Sequence, residues 1–356
     1  MPIFNNNLKN NIFTFAVFLI SLLSCNQSNK TDWDDKTTHL KSEMLNGSEL
    51  NLYFPRDIIM IDSLIIIGDV NQSELYHRYL INGNNIEELS GFGKEGEGPN
   101  EFYMAFALHY TNDRLSIYNK GFLRYQILEK NDLLSSDIET YMATKSVKNS
   151  AAFHELIELE NDLYFGTGTF RKGMFAFYSN DSIVHSDIPY PEDDINTINE
   201  QKGMVYQGFI AKQPHGNKIA FAGFYGQVFE IFSYENYNIE RVFSDIVELP
   251  SYKPSQQSEN YLEASYTAEN KIGYFMTSVT DKYIYALFCG KNYSDDRIDY
   301  ANTIFVYDWD GNRIKKYLLD KDLSCICVNN EDSKIYGLHT DPEDDLVKIV
   351  CYNVEN

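Results

Sequence analysis

Residues 108–128 read LHYTNDRLSIYNKGFLRYQIL, the pattern of three short β-strands separated by two tight turns. Leu115 and Ile117 alternate with polar residues, and a period of two places both side chains on the same face of a sheet. Asn112 and Asp113 precede the middle strand, and these residue types tolerate the positive φ angles that tight hairpins require. We interpret the segment as one unit of an all-β protein.

The same unit recurs along the chain. Each copy is marked by an apolar residue that begins a strand directly after a polar turn: Leu64, Leu115, Leu163, Ile219, Tyr283 and Ile335. These residues follow one another at intervals of 51, 48, 56, 64 and 52 residues. A period of about 40–50 residues with several short strands per repeat is typical of propeller blades. The spacing therefore predicts a six-bladed β-propeller.

The last copy lacks a strand. Residues 323–328, 334–339 and 346–352 supply three strands, whereas residues 50–54 alternate like a strand just before the first blade. We predict that this N-terminal strand lies beside residues 346–352 and closes the last blade, which would cover an open sheet edge. The alternative is that residues 50–54 form a stray strand or part of a disordered leader.

The N-terminus has the pattern of an export signal. Lys9 is the only charge in residues 1–24, and residues 12–23 (IFTFAVFLISLL) form an apolar run too short for an ordinary transmembrane helix. We predict a signal peptide over residues 1–24, a flexible polar tether over residues 25–47 and a propeller domain over residues 48–356.

The apolar run ends in Leu22-Leu23-Ser24-Cys25, which resembles the lipobox of bacterial lipoproteins. The resemblance implies cleavage before Cys25 and lipid attachment to this cysteine, so the acyl chains would join the protein to a membrane. Asn26 differs from the Asp that retains some enterobacterial lipoproteins at the inner membrane, so an outer-membrane location is expected. The alternative is a secretory signal followed by an incidental cysteine.

The charge balance limits the partners. Asp and Glu number 52 against 30 Lys and Arg, a net charge of −22. A phosphate backbone or an anionic membrane surface would be repelled, so we predict no nucleic-acid partner. Cationic ligands, metal ions, neutral glycans and peptides are compatible with this charge, and so is a protein partner in the envelope.

Four cysteines follow Cys25: Cys289, Cys325, Cys327 and Cys351. Cys325 and Cys327 would lie on one face of a strand, and their side chains would diverge too far to bond to each other. A bridge from either of them to Cys351 is one interpretation, given an oxidising envelope. The favoured interpretation is that these residues are buried as small apolar side chains.

A glycine-rich connection, GFGKEGEGPNEF at residues 91–102, joins the first two blades. It satisfies the literal pattern of a dinucleotide-binding loop, but no helix follows and no βαβ unit surrounds it, so we predict no nucleotide cofactor. We expect Phe102 to insert between neighbouring blades. Glu97, Asn100 and Glu101 are the candidate binding residues, although Glu101 could instead cap the backbone of its own loop.

The pattern Gly96-x-Gly98-Pro99-x-Glu101-Phe102 resembles the signature of the TolB-like six-bladed β-propeller lipoproteins of Bacteroidota and is similar to loops of NHL-type propellers. This resemblance covers the layout from about residue 50 to the C-terminus, but only this loop in specific residues. It implies a propeller fold and an envelope location, and it implies no particular reaction.

Catalytic and metal-binding patterns are weak. Residues 308–312 (DWDGN) begin like a calcium loop, but Leu319 occupies the twelfth position where Glu is needed, so a hairpin turn is favoured and no metal site is predicted. His109 and His154 come early in their blades, where inner strands line the channel. We assign no catalytic residue and favour a non-catalytic ligand- or protein-binding module. The alternative is a propeller hydrolase or lyase that acts on glycans or lactones.

Overall fold

The computed structural model describes residues 33–70, 73–104, 106–160, 162–258, 261–343 and 345–354. The predicted signal peptide, Cys25 and the first part of the predicted tether lie outside these residues. A first compact unit ends at Lys36 and contains the 3-10 helix Asp34–Lys36. The second unit begins at Thr37 and contains the propeller.

The first half of the propeller unit opens with two strands, followed by three blades of four consecutive antiparallel strands. The opening strands are β1 (Thr37–Leu40) and β2 (Glu43–Leu50). Blade 1 contains β3 (Pro55–Ile61), β4 (Leu64–Asp69), β5 (Tyr76–Asn82) and β6 (Asn85–Phe92), and the short strands β7 (Lys94–Glu95) and β8 (Glu101–Phe102) follow it. Blade 2 contains β9 (Leu108–Thr111), β10 (Arg114–Asn119), β11 (Arg124–Glu129) and β12 (Ala143–Ser146), with 3-10 helices at Lys130–Asp132 and Ile138–Tyr141. Blade 3 contains β13 (Phe153–Glu160), β14 (Leu163–Gly168), β15 (Phe175–Ser179) and β16 (Ser182–His185).

The second half carries the longer connections. Helix α1 (Asn199–Val205) precedes blade 4, which contains β17 (Gly208–Lys212), β18 (Lys218–Gly223), β19 (Gln227–Glu235) and β20 (Asn238–Glu248). A hairpin of β21 (Tyr252–Ser258) and β22 (Tyr261–Tyr266) leads to blade 5, with β23 (Tyr274–Val279), β24 (Tyr283–Phe288), β25 (Ala301–Asp308) and β26 (Arg313–Leu323). Blade 6 contains β27 (Cys325–Val328), β28 (Lys334–Thr340) and β29 (Val347–Asn353).

The predicted six-bladed all-β architecture is confirmed. Each of the six apolar markers lies at the first or second residue of the second strand of its blade. The turns before these strands use the expected residue types: the φ angles of Asp62, Asn112 and Asp113 are 53°, 53° and 58°. Asn and Asp accept this left-handed conformation more readily than most residues, which is why the turns were readable from the sequence.

An N-terminal strand closes the last blade, but it is β2 rather than the predicted residues 50–54. Strand β2 pairs antiparallel with β29, and Glu43 faces Cys351 while Leu50 faces Val347. Residues 51–54 leave the sheet because the carboxylate of Asp69 accepts hydrogen bonds from the backbone N–H groups of Tyr53 (2.7 Å) and Phe54 (2.5 Å). The predicted segment was wrong because an irregular register near Gly47, whose φ is 76°, hides the alternation of β2.

Strand β1 adds a second attachment. It pairs parallel with β26, the outer strand of blade 5, from Thr37 opposite Lys316 to Leu40 opposite Leu319. The backbone N–H of Asn46 in β2 donates to the carbonyl of Asn84 in blade 1 at 2.8 Å. Residues 37–50 therefore connect blades 5, 6 and 1, and the last eleven residues of the predicted tether, 37–47, belong to this part of the fold.

The core lies between the faces of neighbouring blades, and three of the cysteines are part of it. Cys325, Cys327 and Cys351 are almost completely buried, and all three thiols are free. Tyr336 lies between Cys327 and Cys351 in the sheet, which puts these cysteines about 10 Å apart, whereas a disulfide needs Cα atoms within about 7 Å. Burial raises the pKa of the Cys325 thiol to about 12, so this thiol is held in its unreactive protonated form.

Strand direction gives the two ends of the propeller different characters. Strands alternate in direction within a blade, so every connection from an outer strand to the next inner strand emerges at one end, which we call the loop end. This end carries α1 and the β21–β22 hairpin. The opposite end, the turn end, carries the short turns between first and second strands, such as Asp62–Ser63. Because loops carry most binding functions, the loop end is the better candidate for ligand access.

Candidate functional site

The inner strands surround a cavity on the axis of the propeller. Its volume is about 910 Å³, which is large enough for a small-molecule ligand. All six blades contribute to its wall, for example through Asp57, His109, Glu155, Phe209, Met276 and Cys325. The wall thus combines apolar side chains with a few ionisable groups, as ligand pockets commonly do.

Asp57 joins blade 1 to blade 2. The first strand of each blade is a sheet edge whose outward N–H groups need partners from outside the sheet. Asp57 Oδ2 accepts a hydrogen bond from the N–H of Leu108 in β9 (2.5 Å), and Oδ1 accepts one from Ile58 (2.8 Å). Burial raises the pKa of Asp57 to about 6, and the Leu108 hydrogen bond and nearby His109 partly oppose this rise. Asp57 can therefore gain or lose a proton near neutral pH.

Glu155 continues the chain of contacts across blades 2, 3 and 4. Its Oε1 lies 3.2 Å from Nε2 of His109, and the two side chains are only 15% and 12% exposed. Its Oε2 accepts a hydrogen bond from the N–H of Ile210 in β17 at 3.2 Å. Asp57, His109 and Glu155 thus lie near one another in the cavity wall. Backbone N–H groups of neighbouring blades hold the two carboxylates, and the Glu155 carboxylate holds His109.

Three phenylalanine rings lie in the wall on the side of blades 4 and 5. The ring centroids of Phe209 and Phe224 are 6.3 Å apart, and those of Phe224 and Phe275 are 6.2 Å apart. Ser278, another residue of the cavity wall, accepts a hydrogen bond from the N–H of Val328 in blade 6 at 3.1 Å. The cavity wall therefore carries three phenylalanine rings on blades 4 and 5 and the group of Asp57, His109 and Glu155 on blades 1 to 3. The basic residues Arg56, Lys130 and Lys212 also line it.

The glycine-rich connection lies outside the cavity wall. Glu101 Oε2 accepts a hydrogen bond from the N–H of Gly98 at 2.6 Å. Glu101 therefore caps the backbone of its own loop, which was the alternative to a binding role. The side-chain amide of Asn100 donates to the carbonyl of Glu139 in blade 2 at 2.8 Å, and Glu97 is exposed. None of the three lines the axial cavity. Two of the three already have hydrogen-bond partners within the chain. Ligand binding by these residues stays a prediction.

Phe102 occupies the position expected of it. It is fully buried between blades 1 and 2, edge-on to Tyr76 with 5.2 Å between ring centroids. The glycines of the motif leave room for the side chains that follow: a Cβ on Gly96 would lie 2.1 Å from Oε2 of Glu101, and one on Gly98 would lie 2.9 Å from it. The Gly-x-Gly-Pro-x-Glu-Phe pattern is thus explained by packing at a blade junction.

The remaining candidates have structural partners. His154 lies 3.3 Å from Nζ of Lys120 and 3.1 Å from Oγ1 of Thr169, and burial followed by the Lys120 charge lowers its pKa to about 4. Asp308 accepts hydrogen bonds from the N–H groups of Asp310 and Asn312, so residues 308–312 form the predicted hairpin turn. Among the described residues, no group of three His, Cys, Asp or Glu side chains is arranged to hold a metal ion.

Asp57 and Glu155 were missed from the sequence, and His109 was noted only for its position. Asp57 and Glu155 are each the third residue of an inner strand, β3 and β13. An acidic residue near the start of an inner strand is the signal that could have identified them. The sequence could not show that Asp57 and Glu155 lie close together in the fold. Their proximity depends on how blades about 50 residues apart are placed around one axis.

The comparisons with known proteins agree with this architecture. The sequence model of the family described as TolB-like 6-blade propeller-like matches residues 32–331. A solved member of the DUF4221 family from Bacteroides vulgatus is similar in structure, with a TM-score of 0.52 and 11% identity over 89% of this chain and 97% of that one. A predicted exported protein from Bacteroides fragilis is similar too, with a TM-score of 0.53 and 10% identity over 90% of this chain and 100% of that one. No curated protein matches the sequence.

The helices of the described part of the chain are three to seven residues long. None of its helices is long and apolar enough to span a bilayer.

Proposed function

We propose, from the premise that this chain belongs to the TolB-like six-bladed propeller family, that it is an exported, lipid-anchored binding protein whose axial cavity holds a small molecule without converting it. The observation that carries the binding role is the cavity of about 910 Å³, with aromatic rings on one side and Asp57, His109 and Glu155 on the other. Pockets of this size with a few convergent polar groups are the usual form of ligand sites.

The export and anchoring part rests on the N-terminal sequence. The apolar run at residues 12–23 is followed by Cys25, and one structural neighbour is described as a predicted exported protein. The propeller begins at Thr37, so residues 26–36 would separate it from a lipid on Cys25. Because Asn26 replaces the retention signal, we propose the outer membrane as its destination.

Replacement of the anchor should release the protein. We expect the full-length chain to sediment with membranes and Cys25→Ala to appear in the soluble fraction, because acyl chains supply the membrane attachment. Cys289→Ala, which alters a half-buried cysteine of the propeller, should sediment like the unaltered chain. Membrane fractionation with immunoblotting measures both, and Cys25→Ala found in the membrane pellet would contradict the anchoring proposal.

A bulky side chain placed in the axial cavity tests whether this cavity is the ligand site. Ala211 on β17 lines the cavity, so Ala211→Trp should fill part of it and weaken small-molecule binding by about 10-fold or more. Val247→Trp is the matched control, since Val247 is exposed on the outer strand of the same blade. Ligand-observed NMR with a library of small amines, sugars and amino acids measures the difference.

Equal binding by the two tryptophan variants would contradict the assignment of the site to the axial cavity. We also expect bound compounds to be recovered unchanged after prolonged incubation. Conversion of a sugar or lactone would instead favour the enzymatic alternative.

A further inference from the structure

We propose that the axial cavity is selective for organic primary ammonium ions that carry an apolar, preferably aromatic, body. This inference rests on the proposed function, because it assumes that the cavity is the ligand site.

The two carboxylates have no strong cationic partner among the described residues. The partners of Asp57 in the described structure are the backbone N–H groups of Leu108 and Ile58. Glu155 is paired only with His109 and the N–H of Ile210, and no Lys or Arg of the described chain forms an ion pair with either carboxylate. Each carboxylate oxygen can accept a second hydrogen bond, and both residues line the cavity.

The electrostatics of the cavity favour a positively charged group beside Asp57 and Glu155. A carboxylate in a partly dehydrated site is costly unless an opposite charge compensates it. An ammonium group can donate three hydrogen bonds and supplies that charge, whereas a hydroxyl group supplies one donor and no charge. The net charge of −22 also favours the approach of cations over anions.

The aromatic rings of the cavity wall favour a ligand with an apolar body. Phe209, Phe224 and Phe275 form a run of neighbouring aromatic rings in the cavity wall on blades 4 and 5. An apolar body would lose its contact with water there and stack on the rings. The faces of these rings also attract cations. The basic side chains that line the cavity already have partners in the chain: Lys130 pairs with Asp62, Lys212 donates to the carbonyls of Gln213 and Pro214, and Arg56 lies over the ring of Phe54.

Proton release provides an independent readout. The groups around Asp57 are His109 and Glu155 from blades 2 and 3, Arg56 and Tyr76 from its own blade, and Cys325 and Cys327 from blade 6. Because the pKa of Asp57 is about 6, a substantial fraction of this carboxyl is protonated at pH 6 and little is protonated at pH 8. A bound ammonium lowers this pKa, so binding should release protons at pH 6 and far fewer at pH 8.

The test compares phenethylamine with its hydroxyl analogue, phenethyl alcohol, on the folded protein. We expect the amine to bind about 10-fold more tightly than the alcohol, because only the amine forms charge-assisted hydrogen bonds. Asp57→Asn and Glu155→Gln should each weaken amine binding by about 10-fold and leave alcohol binding nearly unchanged. Asp194→Asn, an exposed carboxylate outside the cavity wall, is the matched control and should change neither affinity.

Calorimetry in buffers of different ionisation enthalpy measures proton release by the unaltered protein, so the test does not depend on the variants folding. Equal affinities for amine and alcohol, or amine binding at pH 6 without proton release, would overturn the selectivity for ammonium. Amine binding that Ala211→Trp leaves unchanged would instead overturn the cavity as the site.

Discussion

A chain that lacks residues 37–50 is expected not to reach a stable folded state. These residues form β1 and β2, which pair with the outer strand of blade 5 and with the last strand of blade 6. Without them, β29 becomes an open edge whose N–H and C=O groups are unpaired and available to other chains. The buried side chains of Leu45 and Leu50 would be lost from the core between blades as well.

The effect can be graded with point substitutions in β2. Leu45→Ala removes a buried side chain and should lower the free energy of unfolding by about 2–4 kcal/mol. Met44→Ala, one residue earlier on the same strand, is the control: Met44 is 53% exposed, and its replacement should change the free energy by less than about 0.5 kcal/mol. Guanidinium unfolding followed by circular dichroism measures both.

The chain without residues 37–50 should also differ from the complete chain in how it unfolds. Broad, non-cooperative unfolding or association into oligomers is expected, because the ring can no longer close. If the chain without residues 37–50 unfolded cooperatively at the same denaturant concentration as the complete chain, the role assigned to these strands would be wrong.

Phe102→Ala is expected to be the most damaging single substitution in the glycine-rich connection, with a loss of about 3–5 kcal/mol in the free energy of unfolding. Phe102 is fully buried among Tyr76 and Phe92, whose rings are stacked with centroids 5.0 Å apart. Removal of the ring leaves a cavity between two blades that the surrounding sheets, held by their hydrogen bonds, cannot fill by moving together.

The neighbouring residue provides the control for this substitution. Tyr103 is 64% exposed, so Tyr103→Ala should lower the free energy of unfolding by less than about 0.5 kcal/mol. Chemical unfolding of the two variants under identical conditions gives the comparison. Similar losses for both would mean that the motif is not explained by packing at the blade junction.

The sequence was most informative where local chemistry determines structure. The turns at Asp62 and at Asn112-Asp113 need residues that accept positive φ, and the strands that follow them need alternating apolar side chains, so the period of the blades could be read directly. Phe102 could be placed for a similar reason, since a large apolar residue after a glycine-rich segment has to be buried.

Predictions failed where structure depends on distant parts of the chain. Strand β2 was missed because Gly47 interrupts its alternation, and its pairing is determined by β29, some 300 residues away. Asp57 and Glu155 look unremarkable in sequence, since each is one acidic residue in a chain that has 52. Only the placement of blades 1 and 3 around one axis shows that both face the cavity.

The most direct test of the central claim, that the axial cavity is the ligand site, is to locate bound phenethylamine by NMR of methionine methyl groups. The chain offers a built-in comparison, because some methionines line the cavity and others do not. We predict that the methyl resonances of three cavity residues will shift on titration: Met60, Met104 and Met276. Those of four residues outside the cavity wall should stay in place: Met44, Met142, Met174 and Met204. Shifts confined to the second group, with the first unchanged, would contradict the claim.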